Sequence, residues 1–203
     1  MKIFCVGRNY ADHAKELGNA VPEEPVIFMK PKSALLPAQT PFHYPAFTNE
    51  LHYEVELVLQ VCKNGRYLPA DQAHKYYDQL TVGIDFTARD LQAELKKKGL
   101  PWEKAKAWDQ SAILGTFKPF AVQASAGPIV FSLQKNGQTV QAGNSQDMIF
   151  SFDHLVAHIS QYFSLNIGDL IYTGTPAGVG ECVVGDVLTG FLGDEKMFEL
   201  EIK

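Results

Sequence analysis

The sequence predicts an α+β fold with more strand than helix and much loop. Three observations carry this. Short apolar runs with strand periodicity recur along the chain. Sixteen glycines and eleven prolines are spread throughout. Three segments carry a helical pattern.

Residues 2–6 read as a strand and residues 9–17 as a short helix ending at Gly18. Residues 26–30 read as a strand, and the Pro- and aromatic-rich stretch from Pro31 to Asn49 as an extended loop. Residues 51–62 are the clearest strand. Leu51, Tyr53, Val55, Leu57, Leu59 and Val61 alternate onto one face; His52, Glu54, Glu56, Val58 and Gln60 take the other. Residues 80–86 form a strand running into a helix with Thr87 as N-cap and Asp90 as its partner; Gly99 and Pro101 end that helix. Lys135-Asn136-Gly137-Gln138 reads as a hairpin, since Asn-Gly tolerates the positive φ angles of a type I′ turn. Residues 153–163 read as helix, then 169–173, 186–192 and 197–202 as strands.

A chain of 203 residues with 46% hydrophobic and 20% charged side chains predicts one globular domain over 1–203. A net charge of −5 gives no electrostatic reason to bind nucleic acid or an anionic membrane. Lys96, Lys97 and Lys98 read as a solvated helix face. No run is long enough for a membrane helix, and no signal peptide is evident. Cys5, Cys62 and Cys182 are few and scattered, which argues against disulfides or zinc and predicts a cytoplasmic protein. Cys5 and Cys62, in apolar runs, read as core residues.

Glu54 and Glu56 lie two apart on one strand, so both point the same way, about 6–7 Å apart. Paired acids beside a core need a compensating cation; a wet edge strand or a glycosidase-like pair is the alternative. Asp85, in the apolar run Val82–Phe86, is out of place in a strand. Three carboxylates without a soft ligand suit Mg²⁺, Mn²⁺ or Ca²⁺. Arg89 and Gln92 share a helix face: Arg89 reads as a carboxylate grip or a salt bridge to Asp85 or Asp90, Gln92 as a contact or an exposed residue. His13 and Glu16, three apart, suit a general base and its orienting carboxylate; the other histidines lack such a partner, although His52 shares the face of Glu54. Lys106, between Trp102 and Trp108, reads as an enolate or carboxylate contact or as a snorkelling lysine. The Gly-rich stretch Thr173–Gly180 lacks a P-loop ending and suits close approach to a small ligand, or a pair of turns.

Val6-Gly7-Arg8-Asn9-Tyr10, Lys30-Pro31, His52–Leu57, Asp85–Asp90, Lys104-Ala105-Lys106 and Thr173–Pro176 together resemble the fumarylacetoacetate hydrolase family, in its short acylpyruvate hydrolase and oxaloacetate decarboxylase branch. The resemblance implies a mixed β-roll with few short helices, a homodimer and a small oxo-acid substrate. It implies metal ligands Glu54, Glu56 and Asp85 for Mg²⁺, with Mn²⁺ as the alternative. It also implies catalytic residues His13, Glu16 and Lys106 and substrate contacts Arg89, Gln92, Gly174 and Thr175. The expected reaction is cleavage of an acylpyruvate C–C bond to pyruvate and a carboxylic acid, with oxaloacetate decarboxylation beside it. The alternatives are an isomerase or decarboxylase of 2-hydroxymuconate-type diacids and a non-catalytic metal-binding protein. Ser111-Ala112-Ile113 departs from the family's Ser-Cys-Pro and bears on the local loop shape.

Overall fold

The computed structural model describes every residue except Leu17, Asn19, Gln39 and Ala126. Fourteen strands and five α-helices appear among the described residues. The expected α+β class holds, with strands in three sheets.

The largest sheet has seven strands. It runs in the order β2 (Val26–Lys30), β1 (Ile3–Gly7), β11 (Leu170–Tyr172), β4 (Val55–Val61), β5 (Tyr77–Asp85) and β7 (Ala112–Leu114), with β8 (Lys118–Pro119) also on β5. It is mixed, because β1 and β11 are parallel and the other pairs antiparallel. A four-stranded antiparallel sheet orders β10 (Gln138–Asn144), β9 (Val130–Lys135), β13 (Val187–Leu192) and β14 (Glu195–Glu201). A small sheet orders β12 (Gly180–Glu181), β3 (Leu51–Tyr53) and β6 (Thr87–Ala88). The helices are α1 (Ala11–Glu16), α2 (Arg89–Lys98), α3 (Glu103–Lys106), α4 (Phe120–Ser125) and α5 (Phe152–Tyr162). None is long and apolar enough to cross a membrane.

One apolar cluster joins the large sheet, the four-stranded sheet and α5 through Phe4, Leu57, Leu59, Phe131, Leu133 and Ile159. Strand β4 is covered on both faces, with only Gln60 half-exposed, as suits a central strand flanked by β11 and β5. The hairpin forms as expected: Lys135 pairs with Gln138, and Asn136 and Gly137 take φ of 54° and 79°. Ser151 caps α5 by accepting a hydrogen bond from the His154 N–H.

Several expectations are corrected. The strand over 51–62 breaks at Glu54, so β3 and β4 lie in different sheets. The predicted helix over 9–17 starts only at Ala11. Asn9 lies outside the helix and is buried, its side chain donating to the carbonyls of Phe150 and Thr173 and accepting from the Phe150 N–H; Leu17 lies outside the described residues. Thr87 is not the N-cap of α2. It pairs with His52 in β6, and Ala88 holds the cap position without a side-chain bond. The Asp90 carboxylate instead accepts from Thr48 Oγ1 and the N–H groups of Asn49 and Leu91. Cys62 is half-exposed, unlike the buried Cys5.

Candidate active site

The break at Glu54 is where the floor of the site begins. The Asp85 N–H donates to the Glu54 carbonyl at 2.9 Å, while the Val55 N–H donates to Oε1 of Gln141, also at 2.9 Å. Thus β4 starts fresh at Val55 with Glu54 and Glu56 turned toward one cavity. Glu56 pairs with Gly83 across the ladder. A Cβ on Gly83 would sit 2.5 Å from the Ile113 carbonyl oxygen, so glycine is what lets β4, β5 and β7 close up behind the acids. Asp85 ends β5. All three carboxylates are buried, and each offers an oxygen within 4.8 Å of the others.

Their charges are met from above. Lys106, buried at the end of α3, donates from Nζ to Glu54 Oε2 (2.7 Å), Asp85 Oδ2 (2.8 Å) and Thr87 Oγ1 (2.6 Å). Arg89 donates to Glu54 Oε1 (2.5 Å), Gln92 Oε1 (2.6 Å) and His52 Nδ1 (3.3 Å). Lys106 is therefore no snorkelling lysine. Arg89 holds Glu54 rather than Asp85 or Asp90, and Gln92 is buried. His52 has partners after all, Arg89 and Glu50.

Burial alone would raise the Glu54 carboxyl, but Lys106 and Arg89 outweigh it and hold it well below the usual range. Glu56 is paired with no cation and is pushed well up, first by burial, then by Asp85 and Glu54; the Gly174 N–H, donating at 2.7 Å, and the more distant Lys106 charge oppose this only in part. Burial would lower Lys106, yet Asp85 and Glu54 raise it, so it stays charged.

Two observations fit a hard divalent cation to this floor. The donors are all carboxylate oxygens. Oδ1 of Asp85 is buried and accepts no hydrogen bond, its nearest cation, Lys30 Nζ at 2.7 Å, lying outside hydrogen-bond angles. An ion would give that oxygen a partner and remove the mutual repulsion that leaves Glu56 unfavourably placed.

The rim is made by α1 and the glycine loop. His13 is buried, and its Nδ1 lies 3.3 Å from Glu16 Oε2. The Glu16 carboxylate also accepts from the Gly178 N–H at 3.1 Å, which ties α1 to the loop. Burial lowers the His13 pKa against the raising influence of Glu54 and Glu16, so the ring is neutral near pH 7. Thr175 is buried on the same cavity. Gly174 has a φ of 104° and a Cβ there would strike the Asn9 Cβ at 2.7 Å, so its N–H reaches Glu56 only because the residue is glycine.

The structure thus brings together His13, Glu54, Glu56, Asp85, Arg89, Gln92, Lys106 and Thr175 around one cavity, and Gly174 reaches it through Glu56. Three further residues, Lys30, Gln141 and Arg8, were given no role at the site by the sequence, although Lys30 and Arg8 stand in the motifs that carry the resemblance. Lys30, fully buried, faces Asp85 and donates to Ser111 Oγ at 3.0 Å and to the Lys106 carbonyl. Gln141, on β10, donates to Thr175 Oγ1 (2.9 Å) and the Pro176 carbonyl (3.0 Å) while accepting from Val55. Arg8 lines the cavity, as does Lys96, which is therefore more than a solvated helix face. Lys30 carried two signals, a lysine ending an otherwise apolar strand and its place in the Lys30-Pro31 motif; Gln141 sits in a polar-alternating strand and gave none.

The model of the fumarylacetoacetate (FAA) hydrolase C-terminal family matches residues 2–203. The chain belongs to this family. It is 44% identical over 202 residues to a mitochondrial oxaloacetate tautomerase of Arabidopsis thaliana, covering 98% of this chain and 91% of that one. It is 43% identical over 190 residues to an oxaloacetate tautomerase of Escherichia coli K12, covering 93% and 86%. Its fold matches the crystal structure of a Pseudomonas aeruginosa fumarylpyruvate hydrolase in complex with Mn²⁺ and pyruvate, with a TM-score of 0.92, 36% identity, and coverage of 100% and 89%. The expected family fold is therefore met, and the chain is an enzyme of the fumarylacetoacetate hydrolase family. Tautomerisation, the activity of the first two relatives, was not among the reactions expected from the sequence.

Proposed function

We propose that this protein is a divalent-metal-dependent enzyme of 2-oxo acids that interconverts the keto and enol forms of oxaloacetate. The observation that carries the reading is the convergence of three buried carboxylates, the charged Lys106 and the neutral His13 on one cavity. The two tautomerase relatives support it.

A Mg²⁺ or Mn²⁺ ion held by Glu54, Glu56 and Asp85 would polarise the 2-oxo carbonyl as a Lewis acid. Arg89 keeps Glu54 ionised and oriented for that role. Glu16 accepts from Nδ1 of His13, which assigns the proton to Nδ1 and leaves Nε2 as the basic nitrogen. His13 takes a proton from C3 of oxaloacetate, and the proton returns to the 2-oxygen, so the reaction is a balanced isomerisation. Lys106 redirects one N–H from the carboxylates to the developing enolate oxygen. Gln92 and the Gly174–Thr175 loop position the carboxylate beside it. Oxaloacetate decarboxylation passes through the same enolate.

A second reading is hydrolysis of acylpyruvates, favoured by the His13–Glu16 pair and by the fumarylpyruvate hydrolase neighbour. There His13 takes its proton from a water that attacks the distal carbonyl; the C–C bond breaks to give pyruvate and a carboxylic acid. The homodimer implied by the family resemblance is part of the proposal, and sedimentation of the purified protein tests it.

The deciding experiment follows the ultraviolet absorbance of enol-oxaloacetate, and pyruvate release from oxaloacetate and acetylpyruvate, with Mg²⁺ and with EDTA, in wild type and Glu56→Ala. Metal-dependent enol decay lost in Glu56→Ala supports tautomerisation. Pyruvate release from acetylpyruvate without accelerated enol decay moves the assignment to hydrolysis. Inactivity on both sinks the two readings together.

A further inference from the structure

Above the ionic floor, the cavity carries a second set of charges that the proposed chemistry leaves unused. Arg8 and Lys96 line the same cavity as Glu54 and His13, one from the turn after β1 and the other from the last turn of α2. Neither side chain makes a hydrogen bond or an ion pair among the described residues. The acids that might neutralise them are already taken: Glu54 by Lys106 and Arg89, and Glu16 by His13 and Gly178.

Their setting gathers positive charge. The Lys96 ammonium stands 5.4 Å from the centroid of Trp102, itself a wall of the cavity. Burial lowers the Lys96 pKa, and the charges of Arg8, Arg89 and Lys106 lower it further. The Glu54 charge opposes this, yet no carboxylate among the described residues pairs with the ammonium. Arg8 has a φ of 62°, a left-handed backbone that disfavours a side chain. It follows Gly7, which keeps a negative φ, so the strain falls on a residue that lines the cavity. Lys97 and Lys98, the neighbours of Lys96, do not line it.

We infer that Arg8 and Lys96 form an anion subsite that receives the distal carboxylate of a dicarboxylic 2-oxo acid. This rests on the reading that the floor takes the 2-oxo end. A substrate chelated there extends toward the rim, where a dianion meets two uncompensated cations and a substrate with a neutral tail leaves them bare. The subsite thus selects oxaloacetate-like diacids over acylpyruvates of similar length with neutral tails.

The test uses the Mg²⁺-loaded protein as wild type, Arg8→Met/Lys96→Met and a Lys97→Met control. The double variant raises the KM for oxaloacetate at least tenfold and shifts the KM for acetylpyruvate far less, while Lys97→Met matches wild type. Equal shifts for both substrates, or no shift for oxaloacetate, overturn the subsite. Calorimetric binding separates this from failure of the proposed reaction. 2-Oxoglutarate and 2-oxopentanoate share a five-carbon chain and differ at the tail, carboxylate against methyl. Wild type binds the diacid at least tenfold more tightly, and the double variant loses that preference, whether or not either oxo acid is turned over. Equal binding of the pair by wild type, binding of neither, or a preference that survives in the double variant overturns the inference.

Discussion

The floor and the rim of the candidate site are held by different physics. The floor stands on β4 and β5, paired from Val55 to Ile84 through the middle of the large sheet, and its acids are buried against Lys106, Lys30 and Arg89. The rim stands on a six-residue helix, α1, whose Glu16 is partly open to water and reaches the loop through the Gly178 N–H. Burial makes charge pairing in the floor a condition of folding as well as of chemistry. The rim has far less bound to it, so its residues can be altered with little effect beyond catalysis.

The largest expected effect falls on the floor. Lys106→Met removes the cation shared by Glu54 and Asp85 and leaves buried charge unpaired, at a cost of about 3–5 kcal/mol. For a chain of this size that is a fall in Tm of roughly 6–20 °C. Because the lost group is a cation, adding Mg²⁺ restores part of the stability. Differential scanning calorimetry with and without Mg²⁺ checks both, and a variant as stable as wild type in EDTA would show that charge pairing in the floor does not limit stability.

At the rim the balance reverses. His13→Gln should lower turnover by roughly 10²–10⁴-fold, the usual weight of a general base, with stability changed by about 1 kcal/mol. The comparison is the ratio of the two losses: Lys106→Met costs stability and activity together, His13→Gln activity almost alone. A His13→Gln protein that melts as early as Lys106→Met would erase the distinction.

How much was legible in the sequence follows the same division. Strand alternation placed Glu54 and Glu56 on one face because a buried strand writes its period into the sequence, and the oddity of Asp85 in an apolar run stood out for the same reason. The break at Glu54 was invisible. Gln141, which takes up the Val55 N–H there, lies 86 residues away and belongs to another sheet. The shift of the helix cap away from Thr87 has a similar cause: a local rule gave way to the pairing of Thr87 with His52 and to the bond from Lys106. His13 and Glu16 were marked by spacing alone, which is common on helix surfaces, and the resemblance supplied their role. Arg8, quoted only as part of a motif, and Lys96, read as part of a solvated face, gave no sign of meeting, since only the folded cavity brings the two ends of separate elements together.

Gln141 joins the two regions and should show an intermediate effect. Gln141→Ala strips the buried Val55 N–H and Thr175 hydroxyl of their partner, costing about 1–3 kcal/mol. It frees the start of β4 and the glycine loop together, so metal affinity and substrate KM both weaken. Gln141→Glu keeps the acceptor for Val55 and loses the donor to Thr175; it should retain metal affinity while KM rises. Calorimetric Mg²⁺ binding beside steady-state kinetics reads the two halves separately. A Gln141→Glu variant that loses metal affinity as fully as Gln141→Ala would mean that floor and rim are one unit.

The smallest effect is a shift along the pH axis. Burial lowers the His13 pKa, and the Glu54 charge, then the Glu16 hydrogen bond and charge, hold part of it up. In wild type the acid limb of the rate profile therefore lies below the ordinary histidine range. Glu16→Gln removes a raising influence, so the limb moves to still lower pH while the plateau falls through looser orientation of the ring. The stability linkage has the matching sign. A histidine whose folded pKa is depressed binds its proton less readily folded than unfolded, so its contribution is present above the unfolded pKa and is lost as the pH falls through the folded one. Glu16→Gln extends that loss to lower pH. A limb that stays where it is would mean that the ring titrates under the control of Glu54, making the rim an extension of the floor's charge network.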